Sequence, residues 1–281
     1  MTDQNPKLSF PVLTPSQRMY LEVNGYVVLK ELISPDRVKV LLETIYQMES
    51  DYRSKGTLPG PDCHLSATSN EFFRIDNLPH LAPCFFDYVA DPTIVAMAEE
   101  ITEGTVRLEQ SDAHIRRPGT ENQSYGFHRS ITNGYSHTNQ AGLYHYSFVK
   151  ALTNLTHLGP EDGGTTVIAG SHKLPPEVGR DEIINAAMDD PRLIHQIEAP
   201  PGSTCLFFES LMHSQGVMRS NNERVLILGG YTPTMFQTWH GYEPNADFLS
   251  TLSEEKRALL TGEAKYGVQR RSRDLSPPAS D

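Results

Sequence analysis

Residues 201–231 read PGSTCLFFESLMHSQGVMRSNNERVLILGGY, with one β run near each end. "TCLFF" (204–208) and "RVLILGGY" (224–231) are rich in the branched and aromatic side chains that fit a pleated, half-buried surface. His213 follows the first run, and Arg224 opens the second. A strand, a histidine, a turn and an arginine on the returning strand can aim imidazole and guanidinium into one cavity. The stretch therefore predicts a β fold with a polar site between its strands.

The same grammar extends backwards to Val106. "TVRLEQSDAHIR", "QSYGFHRSI", "GLYHYSFVKALTNLTHL", "GGTTVIAGSH" and "IHQIEAP" all read as strands separated by turns. Seven or eight strands at this spacing, without helical crossovers, predict a sandwich or barrel. Ahead of them the pattern is helical. "LTPSQRMYLEVNG" has Thr14 as N-cap and Pro15 behind it, and stops at Gly25. "YVVLK" is a short β run, and "SPDRVKVLLETIYQMESDYR" repeats the cap with Ser34 and Pro35, placing Val38, Leu41, Leu42, Ile45 and Met48 on one face. "DPTIVAMAEEITEG" is a third helix, capped by Asp91. Residues 53–70, rich in Gly, Pro, Ser and Asp, read as a loop. Helices followed by strands make an α+β fold, a helical layer buttressing one face of a β-sandwich. One domain is expected over residues 1–265, with 266–281 a polar, disordered tail.

The bulk properties narrow the function classes. The chain has 281 residues, 38% hydrophobic and 21% charged, which suits a soluble globular protein. A net charge of −11 argues against nucleic acid as a partner, because phosphate binding wants a basic face. No apolar run is long enough for a membrane span, and "MTDQNPKLSF" has neither the basic nor the apolar region of a secretory leader. Three scattered cysteines with no C-x-x-C fit a reduced, cytoplasmic setting without structural zinc. Cys205, inside "TCLFF", reads as a small buried hydrophobe.

A second histidine completes the constellation. His128 lies in "GFHRSITNGY" (126–135), in what reads as a strand. His128, His213 and Arg224 together would suit a non-haem iron site, in which imidazoles hold Fe(II) and open positions receive oxygen and substrate. The guanidinium would clamp the far carboxylate of a bidentate co-substrate through two parallel hydrogen bonds.

At this point the chain resembles the phytanoyl-CoA dioxygenase-like Fe(II)/2-oxoglutarate oxygenases. The resemblance runs from about Leu13 to about Leu260 and rests on four stretches: "LTPSQRMYLEVNGYVVLKELIS", "IRRPG", "LTHLGPEDGGTTVIAGSHK" and residues 201–231. It implies a double-stranded β-helix (a jelly roll, cupin-like) with N-terminal helices against one sheet. It implies that His128 and His213 are the proximal and distal iron ligands and that Arg224 anchors 2-oxoglutarate. The cofactors implied are Fe(II), 2-oxoglutarate and O2, with ascorbate as a reductant. The reaction implied is oxidation of a C–H bond in a small organic molecule, by a monomer or homodimer.

The departure is Ser130. The usual motif is His-x-Asp or His-x-Glu, and here a neutral hydroxyl stands in the acid's place. Three readings stay open. The carboxylate has moved, with Glu209, four residues before His213, as the expected third ligand. Or the position is left to halide or water, as in the related halogenases. Or the metal is lost, leaving a non-catalytic jelly-roll binding protein. Asp112 is a carboxylate that the sequence does not place, and Glu209 has a plainer alternative, a pair with a buried arginine such as Arg107 or Arg224. By the same frame Gln110 and Tyr146 are expected at the co-substrate, and His145 and Arg117 at the substrate. Each has a structural alternative: a satisfied core histidine for His145, a strand-end charge for Arg117. "WHGYEP" (239–244) reads equally as a flap over the site or a dimer contact.

Overall fold

Local capping sets the first helices. Helix α1 (Pro15–Asn24) begins where the Thr14 hydroxyl accepts from the Gln17 amide and the Gln17 side chain answers the Thr14 amide. It ends at Gly25, whose φ of 84° favours glycine. A Cβ there would also lie 2.5 Å from His172 Nδ1, so close packing demands glycine a second time. Strand β1 (Tyr26–Leu29) follows, then α2 (Pro35–Lys55), capped by Ser34, with Val38, Leu41 and Ile45 buried as expected. After α3 (Pro83–Val89) comes α4 (Pro92–Thr102), whose Asp91 cap accepts from the amides of Thr93 and Ile94. Helix α4 is buried from Ile94 to Thr102, because it lies against the main sheet.

The computed structural model describes residues 11–119, 124–129, 137–140, 143–175 and 177–262, with the backbone alone at 137–140 and 143–145. The expected tail over 266–281 lies outside these residues.

The remaining strands are β2 (His64–Thr68), β3 (Phe72–Asp76), β4 (Val106–Arg116), β5 (His137–Gln140), β6 (Leu143–Tyr146), β7 (Val149–Asn154), β8 (Thr166–Ile168), β9 (Ile194–Gln196), β10 (Thr204–Phe208), β11 (His213–Ser214) and β12 (Arg224–Pro233). A large antiparallel sheet has the order β1-β10-β7-β12-β4-β3-β2 and a small one the order β11-β8-β9. An isolated bridge between His128 and His213 adds the 124–129 segment to the edge of the small sheet. Eight segments then alternate. Counting β4, the His128 segment, β7, β8, β9, β10, β11 and β12 in chain order, the large sheet takes the first, eighth, third and sixth. The small sheet takes the second, seventh, fourth and fifth. That interleaving is the double-stranded β-helix.

The two faces of the large sheet do different work. On β7, Ala151 and Thr153 present groups to the Tyr88 hydroxyl of α3, so the odd positions face the helices. Lys150 and Leu152 then face the space between the sheets. On β10, Leu206 and Phe208 join the helix-side core, while Cys205 and Phe207 pack with Val167 and Ile197 between the sheets.

The structure departs from the sequence expectation in three places. The 53–70 stretch contains β2, and β3 follows it; β3 is added by pairing onto β4 and β2 by pairing onto β3, which local patterning does not display. The described part of 123–131 forms a single bridge, not a strand. The long run from 142 to 158 divides into β6 and β7, with β6 turned back on β5. Among the described residues, no helix is long and apolar enough to cross a membrane.

Candidate metal centre

The bridge that joins the small sheet's edge sets the two histidines side by side. His128 and His213 exchange main-chain hydrogen bonds of 2.9 Å, and their ring centroids are 4.3 Å apart. Each ring has its Nδ1 2.8 Å from a carbonyl, that of Gly126 for His128 and that of Leu211 for His213. A carbonyl can only accept, so each Nδ1 carries the proton and each Nε2 keeps its lone pair. This is the tautomer a metal-binding imidazole needs, fixed by the hydrogen bond behind it. Burial pushes the His213 pKa down to about 4, which keeps the ring neutral. Two imidazoles oriented in this way fit a first-row divalent metal.

Arg224 lies 2% exposed at the start of β12. It donates from Nη1 to the Gly163 carbonyl at 2.8 Å and from Nη2 to the Thr165 hydroxyl at 2.7 Å. Both partners are neutral, and its Nε has no hydrogen-bond partner. Among the described residues no carboxylate pairs with it. Burial, with Arg116 directly opposite on β4, pulls its pKa down to about 9. A buried cation in this state fits an anionic ligand, since isolated buried charge is costly. Cys205, on the inner face of β10, is close enough to feel this charge. Its neighbour in alternation, Phe207, lies tilted against the His213 ring with centroids 4.8 Å apart.

Close enough to act on the His213 ring is a charged wall that the sequence reading missed. The Lys150 ammonium bonds Glu109 Oε1 and, at 2.6 Å, Gln110 Oε1, and lies 3.7 Å from Glu209 Oε2. Burial opposes its charge, but Glu109 and Glu209 hold the ammonium protonated. Burial pushes the Glu109 carboxyl up to about 7 against the pull of Lys150. A lysine inside the apolar run "SFVKAL" was the available signal.

Glu209, the expected third ligand, stands in this wall. Its carboxylate faces Lys150, and among the described residues no three His, Cys, Asp or Glu side chains close on one point. The arginine alternatives fail too, since Arg107 donates to the carbonyls of Leu260 and Thr261 and Arg224 is held as above. Gln110 faces the wall, between Lys150 and Asp112. Asp112 is fully buried between Arg74 at 2.9 Å and the Tyr242 hydroxyl at 2.5 Å. Burial would raise its pKa, but His114 and Arg74 hold it well below the carboxylate range. Tyr242 places part of "WHGYEP" against this inner face.

Two further expectations are redirected. Arg117 pairs with Glu49 of α2 at 2.7 Å and with Glu223 at 2.5 Å, tying α2 to the sheet, because the next residue along β4 after an inward Arg116 must point outward. Tyr146 stacks on Phe208 at 3.6 Å in the helix-side core rather than at the co-substrate. The His145 side chain and Ser130 lie outside what the structure describes.

A family model described as phytanoyl-CoA dioxygenase matches residues 21–226. No curated protein matches the sequence. Among solved structures, HygX from Streptomyces hygroscopicus with nickel, 2-oxoglutarate and hygromycin B bound superposes with a TM-score of 0.65 at 20% identity, over 84% of this chain and 94% of that one. EctD from S. alaskensis with bound Fe gives 0.65 at 19% identity, over 82% of each chain. SnoK, a non-haem α-ketoglutarate-dependent carbocyclase from nogalamycin biosynthesis, gives 0.60 at 15% identity, over 78% of this chain and 84% of its own. At such identities the likeness speaks to the shared fold.

Proposed function

The chain belongs to the phytanoyl-CoA dioxygenase family, and we propose that it is a non-haem Fe(II)/2-oxoglutarate-dependent oxygenase oxidising a C–H bond of a small organic molecule. The observation that carries this reading is the pairing of two Nε2-directed imidazoles with a buried guanidinium that has neutral partners only. His128 and His213 hold the iron, and Arg224 receives the far carboxylate of 2-oxoglutarate. Iron with 2-oxoglutarate and O2 supplies an oxidant strong enough for an unactivated C–H bond.

The chain's own contribution is placement. Gly163 and Thr165 fix the guanidinium plane, so the co-substrate meets a preformed fork. The carbonyls of Gly126 and Leu211 fix both imidazole tautomers. Phe207 and Leu152 form the apolar floor that keeps water from the reacting centre. The free thiols of Cys63, Cys84 and Cys205 suit work in the cytoplasm, with ascorbate available as reductant. The test is succinate formation from 2-oxoglutarate by the Fe(II)-loaded protein. Turnover that survives Arg224→Leu together with His128→Ala would remove the reading.

One observation favours a second reading. With serine at position 130 and Glu209 committed to Lys150, the third protein position has no carboxylate among the described residues. A halide there makes the protein a halogenase. Mass spectrometry of products formed with chloride or bromide separates the two.

A further inference from the structure

Asp162 stands one residue before Gly163, whose carbonyl accepts from the Arg224 guanidinium. Its surroundings, "GPEDGGTT" (159–166), have the composition of a solvated turn. The structure buries the aspartate instead, at 5% exposure. Its Oδ2 accepts from the Gly159 amide at 2.7 Å. Its Oδ1 accepts from the Ser220 hydroxyl at 2.6 Å and from the Asn222 side-chain amide at 2.9 Å. A charge taken out of water is costly, so what this one provides is its hydrogen bonds, which are stronger to a carboxylate than to a neutral acceptor.

Those bonds tie together the two sides of the anchor. Ser220 and Asn222 belong to the connection between β11 and β12, and Arg224 follows Asn222 by two residues. Main-chain bonds make the same join. The amides of Arg219 and Ser220 donate to the Glu161 carbonyl at 2.8 and 3.0 Å, and the Gly216 amide donates to the Gly163 carbonyl at 3.2 Å. The Gly163 carbonyl thus serves Gly216 and Arg224 at once. Packing holds it in place. Gly163 has a φ of 66°, and a Cβ there would lie 2.5 Å from Met218 Cγ. A Cβ on Gly164 would lie 2.0 Å from the Ile197 carbonyl oxygen. Asp162 adds the side-chain part of this join, and it grips the chain just ahead of Arg224.

We infer that Asp162 is a positioning residue for the co-substrate anchor. It fixes the Gly163 carbonyl against the backbone that carries Arg224, and so aims the guanidinium at the far carboxylate of 2-oxoglutarate. A two-bond contact between guanidinium and carboxylate depends steeply on angle, so a small rotation of the fork weakens it. The inference rests on the oxygenase reading, which gives Arg224 its ligand. It assigns part of the selectivity for a dicarboxylate to a residue that acts through Arg224.

The test titrates the Fe(II)-loaded full-length protein, without O2, with 2-oxoglutarate and with 2-oxovalerate, which lacks the far carboxylate. Calorimetry reads both affinities. Wild type should prefer 2-oxoglutarate by about tenfold or more. Asp162→Ala should shrink that preference to about threefold or less, while affinity for 2-oxovalerate and iron content stay at wild-type levels. Asn222→Ala removes one of the three bonds at an exposed position and should lower the preference in the same direction. Equal losses of affinity for both acids in Asp162→Ala would mark a merely structural residue and overturn the inference. So would an unchanged preference in folded Asp162→Ala or, if that variant does not fold, in Asn222→Ala. In each of these cases the oxygenase reading stands. Wild type that binds 2-oxoglutarate no better than 2-oxovalerate fells both.

Discussion

Arg224 of β12 stands directly opposite Arg116 of β4, so two guanidiniums share the inner face at one end of the sheet. Like charges opposite one another oppose folding, by up to about 1 kcal/mol. Arg116 is partly accommodated over the Phe72 ring, 3.9 Å from its centroid. Among the described residues Arg224 bonds Gly163 and Thr165. Such an arrangement favours ligand binding at the expense of the empty fold.

Replacing Arg224 with leucine should therefore separate the two quantities. Affinity for 2-oxoglutarate should fall by about 2–5 kcal/mol, the cost of removing one partner of a buried charge pair. Stability without co-substrate should change by less than about 1 kcal/mol or rise, as when a buried ion gives way to an apolar side chain. Calorimetric titration and chemical unfolding check the two halves. Lost stability with unchanged affinity would make Arg224 a structural residue.

His128→Ala and His213→Ala should each abolish Fe(II) retention and leave a folded protein. The bridge between these positions is made by main-chain atoms, which alanine keeps. Metal content by mass spectrometry and the far-ultraviolet circular dichroism spectrum decide it. Iron at wild-type occupancy in either variant would take the imidazoles out of the site.

What the sequence displays and what it hides follow from the range of the interactions. The starts of α1, α2 and α4 are legible because Thr14, Ser34 and Asp91 bond amides two or three residues away. His213 and Arg224 stand out in the sequence because they lie eleven residues apart where one β run, 204–208, gives way to the next, 224–231. Strand β3 is hidden, since it is held by β4, more than thirty residues on, and β2 is hidden with it because it pairs onto β3. The Lys150 wall is hidden for the same reason. It depends on the register of β4, β7 and β10 together and on one bulge, none of which is written locally. Glu209 misleads because proximity in sequence to His213 says nothing about Lys150, which is nearly sixty residues earlier.

Acid should weaken the metal-free fold through His114. Burial depresses the His114 pKa to about 4, against Asp112 nearby. The unfolded chain takes up this proton near pH 6.5, so between about 6.5 and 4 it binds more protons than the native state. Stability must then decline as pH falls through that window, by up to about 3 kcal/mol for this group at 1.36 kcal/mol per pH unit. Urea midpoints at pH 7 and pH 4.5 measure it. His114→Gln should flatten the slope, and an identical slope in the variant would assign it to other groups.

The serine at position 130 leads to the last prediction. If Glu209 were the displaced ligand, Glu209→Gln would strip the iron. The structure instead directs that carboxylate to Lys150, so the variant should keep Fe(II) within about threefold of wild type, well under the tenfold that 1.4 kcal/mol represents. Ser130→Asp should act in the opposite direction. A carboxylate returned to His-x-Asp adds negative charge beside two neutral imidazoles, so Fe(II) affinity should rise by tenfold or more. If a halide occupies that position in the wild type, the same change should also end any halogenated product while 2-oxoglutarate consumption continues. Iron affinity measured by competition with a chelator, in both variants side by side, distinguishes the cases. Loss of iron in Glu209→Gln, with no gain in Ser130→Asp, would return Glu209 to the metal and leave Lys150 as its counter-ion.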